Sequence, residues 1–226
     1  MTKKERINII DQTLNQLYPD PQPALEFKTN YQLLVAVILS AQCTDERVNQ
    51  VTQKLFADRP GPNAILDLGE QGLIGYIRSC GLFNSKAKNI MAMTRELVAQ
   101  YKGEVPEDFE ALVKLPGVGE KTAGVVMAQA FQQPAFPVDT HIHRLAHRLD
   151  LSRKKTPNQI SADLKKLFPK DRWAELHLQI IFHGRRVCSA RKPNCAACPL
   201  LPVCPEGKKR MKVTIGKKET IGKILS

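Results

Sequence analysis

The stretch Leu115-Pro-Gly-Val-Gly-Glu-Lys-Thr-Ala123 sets Lys121 in the first turn of a predicted helix. A helix N-terminus carries the positive end of the macrodipole, which disfavours a cation there by roughly 0.3–1 kcal/mol. Lys121 is therefore a poor structural choice and a sensible chemical one. The same field favours the unprotonated amine, the form that a nucleophilic lysine needs. Gly117 and Gly119 can both take φ > 0 and lack a Cβ, so the amides around Val118 can approach a phosphate at the positive end of the helix. Without Lys121, the same residues read as a plain turn between two helices.

Asp139 follows Pro137-Val138 and precedes Thr-His-Ile-His, which makes it a natural N-cap for a helix running to about Leu149. A cap also holds a carboxylate still, so capping and chemistry are compatible at this position. His143 and His147 share a helix face, but His141 points about 200° away from His143, and no glutamate completes a hydrolase motif. The three histidines suit packing, solvation or contact with a polyanion better than they suit a metal. Four thiols, Cys188, Cys195, Cys198 and Cys204, fall within seventeen residues, with Pro193, Pro199 and Pro202 between them. Such a loop can wrap one metal centre. Its single C-x-x-C pair departs from the paired knuckles of zinc ribbons, and the residues by themselves leave tetrahedral zinc and an iron-sulfur cluster both open. Arg185, Arg186, Arg191 and Lys192 crowd the loop and could either press on a phosphate backbone or balance the charge of a thiolate-bound centre. Cys43 and Cys80 lie in helical stretches far from this array and read as small buried side chains.

The elements that must position these groups are helical. Lys3 to Tyr18 carries Ile7, Ile10, Leu14 and Leu17 on one face and stops at Pro19. The run LLVAVIL within Tyr31–Ser40 has no strand partner of similar quality and reads as a buried central helix. Further helices are predicted over 45–57, 70–80, 85–101, 107–115, 119–131 and 170–187, and one opens behind the cap Thr156 with Pro157 at its first position. Gln132 to Pro137 breaks the pattern and marks a crossing between two lobes. The net charge is +12, of which the segment after Cys204 contributes +5. With 6% aromatic residues, such a chain favours phosphate contact over base-stacking platforms, although a merely soluble basic protein has the same balance. The first dozen residues contain no continuous apolar run, so neither a signal peptide nor a membrane anchor is expected. The two TIGK copies at 214–217 and 220–223 read as a flexible basic extension.

LPGVGEKTA followed by VDTHIHR, with four cysteines near the C-terminus, resembles the helix-hairpin-helix DNA glycosylases, most closely their endonuclease III branch. The resemblance spans about Ile7 to Cys204. It implies an all-α, two-lobed fold: a six-helix barrel over 22–133 with its hairpin at 107–131, an iron-sulfur lobe from 1–21 with 134–211, and a basic tail at 212–226. Bent DNA would enter between the lobes. The implied activity is that of a bifunctional glycosylase and abasic-site lyase of base excision repair, with Lys121 as nucleophile and Asp139 as its catalytic carboxylate. Pro116, Gly117, Val118, Gly119 and His141 would contact DNA, as would Arg186, Arg191 and Lys192. Gln42 would fill the vacated space in the duplex and Leu82 would wedge into the stack. Outside the resemblance, Gln42 is a polar residue ending a helix and Leu82 a turn leucine reaching into the core. The four cysteines would ligate a 4Fe-4S cluster. The implied partner is double-stranded DNA with a damaged base or an abasic site, bound by a monomer without a membrane, in the bacterial cytosol. Adenine glycosylases of A/G mismatches share the cluster and the aspartate but generally lack the lysine and carry a further domain, so Lys121 and the short tail favour oxidised pyrimidines. The position that is acidic ahead of the hairpin in some relatives is Val113-Lys114 here. A non-catalytic iron-sulfur DNA-binding protein would share the charge, the hairpin and the cysteines, but would have no use for Lys121 and Asp139 together.

Overall fold

Apolar positions at three- and four-residue spacing, threonine and aspartate caps, and proline or glycine breaks divide the chain into helices in the computed structural model, which describes residues 1–133 and 135–212. In chain order the helices are α1 (Lys3–Leu17), α2 (Asn30–Ser40), α3 (Asp45–Asp58), α4 (Pro62–Ile77) and α5 (Phe83–Tyr101). They continue with α6 (Phe109–Lys114), α7 (Glu120–Ala130), α8 (Thr140–Arg148), α9 (Pro157–Leu167) and α10 (Trp173–Arg186). Among the described residues there is no strand, as the all-α expectation requires. The basic extension predicted for the C-terminus lies outside the described residues, apart from Lys212.

Local chemistry explains most helix starts. Side-chain oxygens of Thr2, Thr29, Thr44, Asp108, Asp139 and Thr156 each accept an amide from the first turn of the following helix. Each such cap contributes about 1 kcal/mol by satisfying an amide that would otherwise have no partner. Two helices depart from the sequence expectation by more than two residues. Helix α4 begins at Pro62 behind Gly61 and is broken at Gly69 (φ 69°), whereas periodicity points only to 70–80. The predicted helix over 170–187 opens as a separate 3₁₀ turn, Lys170–Arg172, before α10.

The chain divides into two compact units, Pro23–Ala135 and a second formed by Met1–Gln22 with the segment from Phe136 onward. In the first unit, every residue of α2 from Tyr31 to Leu39 is buried, so the helix is apolar on all sides and packs against α3, α5 and α7. The Tyr31 hydroxyl lies 2.8 Å from Thr94 Oγ1, which donates in turn to Ile90 O, so the polar groups of this core are satisfied. In the second unit, α1 lays Ile10 and Leu14 into the core formed with α8, α9 and α10. Arg6 donates to Leu149 O (2.8 Å) and Asp150 O (3.0 Å), and Arg172 pairs with Asp11 (3.0 Å). The first seventeen residues are thus tied to the C-terminal third by charge-assisted bonds as well as by apolar packing.

The α6–α7 turn depends on one glycine more than the other. Gly117 sits at φ 78°, and a Cβ there would stand 2.7 Å from Asn89 Cβ on α5. Gly119 is extended (φ −91°), with nothing within 4 Å of its missing Cβ, so the left-handed conformation open to it in sequence is not used. Gly117→Ala is expected to cost about 1–3 kcal/mol through strain and overpacking, and Gly119→Ala no more than about 0.5 kcal/mol. Urea titration of the two variants, with equal slopes and separated midpoints, checks this; equal midpoints would contradict it.

Candidate functional site

In the first unit, Leu112, Leu115 and Val118 anchor the hairpin in the apolar core. Val118 is 5% exposed and its amide donates to Leu115 O at 3.0 Å, so this N–H closes the turn and cannot also take a phosphate. That removes Val118's own amide from the expected anion site. Pro116 is half-buried, and Gly117 and Gly119 are exposed. Helix α7 starts at Gly119 without a side-chain cap, and the Gly119 carbonyl receives Ala123 N–H at 2.9 Å. Lys121 is the second residue of α7 and is exposed, as a nucleophile there must be.

Gln42 and Leu82 come together in the same unit. Both are left-handed, at φ 54° and 59°, a conformation costing a residue with a Cβ about 1–2 kcal/mol. A Cβ on Gly81 would stand 3.2 Å from the Gln42 carbonyl, so the two turns lie against each other. Leu82 is 58% exposed, which rules out the turn leucine reaching into the core.

In the second unit, Asp139 Oδ1 accepts Ile142 N–H at 2.8 Å, fixing the carboxylate at the start of α8. His141 lies half-buried next to it, its Nδ1 3.1 Å from Arg144 Nη2, and burial holds its pKa below the usual histidine range. His143 and His147 stack at 4.6 Å and reach the carbonyls of Lys155 and Lys154. These contacts match the packing and solvation expected for that pair.

Cys188, Cys195, Cys198 and Cys204 all line one small hollow, partly open to solvent. Arg148 Nη1 donates to Cys188 Sγ (3.1 Å), Gly207 N–H donates to Cys204 Sγ (3.2 Å), and His183 Nε2 lies 3.4 Å from Cys198 Sγ. His183 is almost fully buried and its pKa is pushed down to about 4 by that burial. Burial pushes the Cys198 and Cys204 thiols up, so a metal binding here must displace protons.

The loop is held by two arginines that were not singled out in the sequence. Arg148 donates to Ser189 O and Ala190 O, both at 2.8 Å, and Arg144 to Cys188 O (3.1 Å) and Gly184 O (2.9 Å). Their i, i+4 spacing within Thr140–Arg148 puts both on one face of α8, which is the signal the sequence carries for them. Of that cluster, Arg186 is exposed and lies over the rings of Phe182 (5.0 Å) and Tyr18 (5.7 Å), while Arg191 and Lys192 are exposed. Arg148→Ala is expected to destabilise the second unit by about 2–3 kcal/mol, the range for bonds to a charged group. It should also make 188–204 the first segment cut in limited proteolysis; an unchanged cleavage order would show that the arginine does not hold the loop.

Three findings set this geometry beside known proteins. Residues 35–170 match the HhH-GPD superfamily of base excision DNA repair proteins. Endonuclease III of Synechocystis is 48% identical over 205 residues, 90% of this chain and 94% of that one, and endonuclease III of Rickettsia conorii is 46% identical over 198 residues, 88% and 94%. A solved structure of a trapped endonuclease III–DNA covalent intermediate, in an estranged-adenine complex, superposes with a TM-score of 0.88 at 42% identity. It covers 93% of this chain and the whole of that one.

Proposed function

This chain belongs to the endonuclease III branch of the HhH-GPD superfamily of base excision DNA repair proteins, and from that premise we propose how its own residues perform the work. It is a bifunctional DNA glycosylase and abasic-site lyase. The observation that carries this is Lys121, exposed in the first turn of α7 behind a rigid glycine hairpin, in a chain 42% identical to a protein trapped covalently on DNA.

A base rotated out of the duplex exposes C1′ of its deoxyribose. The unprotonated Lys121 amine attacks C1′, the glycosidic bond breaks, and the base leaves with its bonding pair. Asp139, its carboxylate held by the Ile142 amide, stabilises the positive charge that develops on the sugar. After ring opening, the Schiff base acidifies the C2′ hydrogen, and loss of that proton expels the 3′ phosphate by β-elimination. The open face of Gly119 allows the backbone at the start of α7 to approach a phosphate, the part of the anion-site reading that survives the use of Val118's amide within the turn. The exposed Leu82 suits a wedge, and Gln42 the space left by the extruded base. Oxidised pyrimidines are the substrate class. We assign the protein to the bacterial cytosol because its substrate would be DNA and the relatives it matches are bacterial; no helix among the described residues is long and apolar enough to cross a membrane.

The four thiols fit a 4Fe-4S cluster: they share one hollow, and an arginine and a backbone amide donate hydrogen bonds to two of the sulfurs, as stabilises thiolates. Cys188, Cys195, Cys198 and Cys204 would hold it, and what it supplies is a fixed shape for the 188–204 loop. Purified protein is expected to be yellow-brown with about four irons per chain, and Cys198→Ser to be poorly folded. Colourless protein with one zinc per chain would overturn the cluster.

Borohydride trapping tests the chemistry. Lys121→Gln should lose the covalent adduct and both reaction steps while binding duplex DNA within about threefold, since phosphate capture rests on backbone. Asp139→Asn keeps the amine and caps nearly as well. It should form a slow adduct with a ready-made abasic site, while release of an oxidised base falls roughly a hundredfold. Near-normal base release with a lowered melting temperature would reduce Asp139 to a cap.

A further inference from the structure

Lys86 does not take part in the chemistry above, yet it occupies a costly position. It is 5% exposed, and its Nζ donates to the Leu39 carbonyl at 2.8 Å in buried surroundings. Two physical terms oppose an ammonium there. Burial removes it from water, and its place in the first turn of α5 puts it at the positive end of its own helix. Burial accordingly holds its pKa below the ordinary lysine range, with the nearby Cys80 and Cys43 acting in the other direction. What favours the charge is the negative end of α2, whose next-to-last residue is Leu39.

Two of the bonds at Lys86 reach the two strained turns, one from its side chain and one the first backbone bond of α5. Its side chain holds the end of α2, three residues before Gln42, and its backbone amide donates to the Leu82 carbonyl at 3.0 Å. Gln42 and Leu82 are both left-handed, and Gly81 lies against the Gln42 carbonyl. The thiols of Cys43 and Cys80, which follow and precede the same turns, contact one another alongside the amine. A methionine would fill the volume without the desolvation cost but could not bond the Leu39 carbonyl.

We propose that Lys86 is a positioning residue for lesion recognition: by pinning the end of α2 to the start of α5, it sets Gln42 and Leu82 as one rigid two-pronged unit that enters the duplex. This rests on the assignment of Gln42 and Leu82 as the invading residues. A pre-set pair avoids the ordering cost that two independently mobile turns would incur on binding, and this saving applies only to DNA that admits both prongs.

The test uses the full, metal-loaded chain and two probes, a duplex containing a tetrahydrofuran abasic analogue and the same duplex undamaged. Lys86→Met is expected to lower the ratio of damaged to undamaged affinity about tenfold, with undamaged binding within about twofold. The fluorescence of 2-aminopurine opposite the analogue should fall towards that of free duplex. In a Gln42→Ala background, Lys86→Met should add less than about twofold, because residues acting as one unit are not additive. A ratio unchanged in Lys86→Met despite a lower melting temperature overturns the proposal, as do fully additive losses. If Gln42→Ala and Leu82→Ala both leave the ratio unchanged, the assignment of the invading residues falls and the proposal with it. If those two lower the ratio and Lys86→Met does not, the proposal alone falls. Should Lys86→Met fail to fold, Lys86→Gln takes its place, its shorter neutral amide holding Leu39 poorly: a ratio lowered at least about threefold supports the proposal, and an unchanged ratio overturns it.

Discussion

The left-handed turn at Gly117 is the constraint on which the start of α7, and with it the place of Lys121, depends. At φ 78°, with Asn89 against the space a Cβ would need, it reverses the chain so that Leu115 and Val118 return to the core and α7 leaves in a fixed direction. The Val118 amide is used to close that reversal. The first turn of α7 is therefore held from behind, by packing and a backbone bond. Its outer side, with Gly119 and Lys121, carries none of that burden and is exposed. A flexible lysine on a rigid helix start suits a nucleophile that must reach a sugar carbon and then act as an electron sink.

The second unit solves a comparable problem by electrostatics. One helix, α8, begins with the Asp139 cap and ends with Arg144 and Arg148, which hold the cysteine loop through the carbonyls of Cys188, Ser189 and Ala190 and the sulfur of Cys188, and the end of α10 through Gly184 O. A change in the loop that shifts α8 also shifts the carboxylate. Under the proposed function, a centre bound by the four thiols would act on the Asp139 carboxylate through structure.

Helix starts were legible at Asp139 and Thr156, where a cap precedes an apolar period, because the cap is local chemistry; at α6 the sequence pointed to 107, while Asp108 caps a helix that opens at Phe109. The buried α2 could be read from its uninterrupted apolar run, and the cysteine loop from thiol density. What sequence did not carry was set by tertiary contact. Nothing local distinguishes Gly117, which needs the left-handed region, from Gly119, which does not. The start of α4 is marked only by Pro62 behind a glycine, and periodicity is lost at Gly69. Arg148 looks like a solvated helix arginine until the loop it binds is folded around it. Lys86, in an ordinary polar stretch of α5, becomes unusual only once buried against the end of α2.

The most direct measurement is to locate the covalent bond itself. The borohydride-reduced adduct on abasic DNA, digested with nuclease and protease and sequenced by tandem mass spectrometry, should carry the residual deoxyribose on Nζ of Lys121 alone. A modification on another lysine or on the terminal amine, with Lys121 unmodified, would contradict the assignment of the nucleophile and the chemistry built on it.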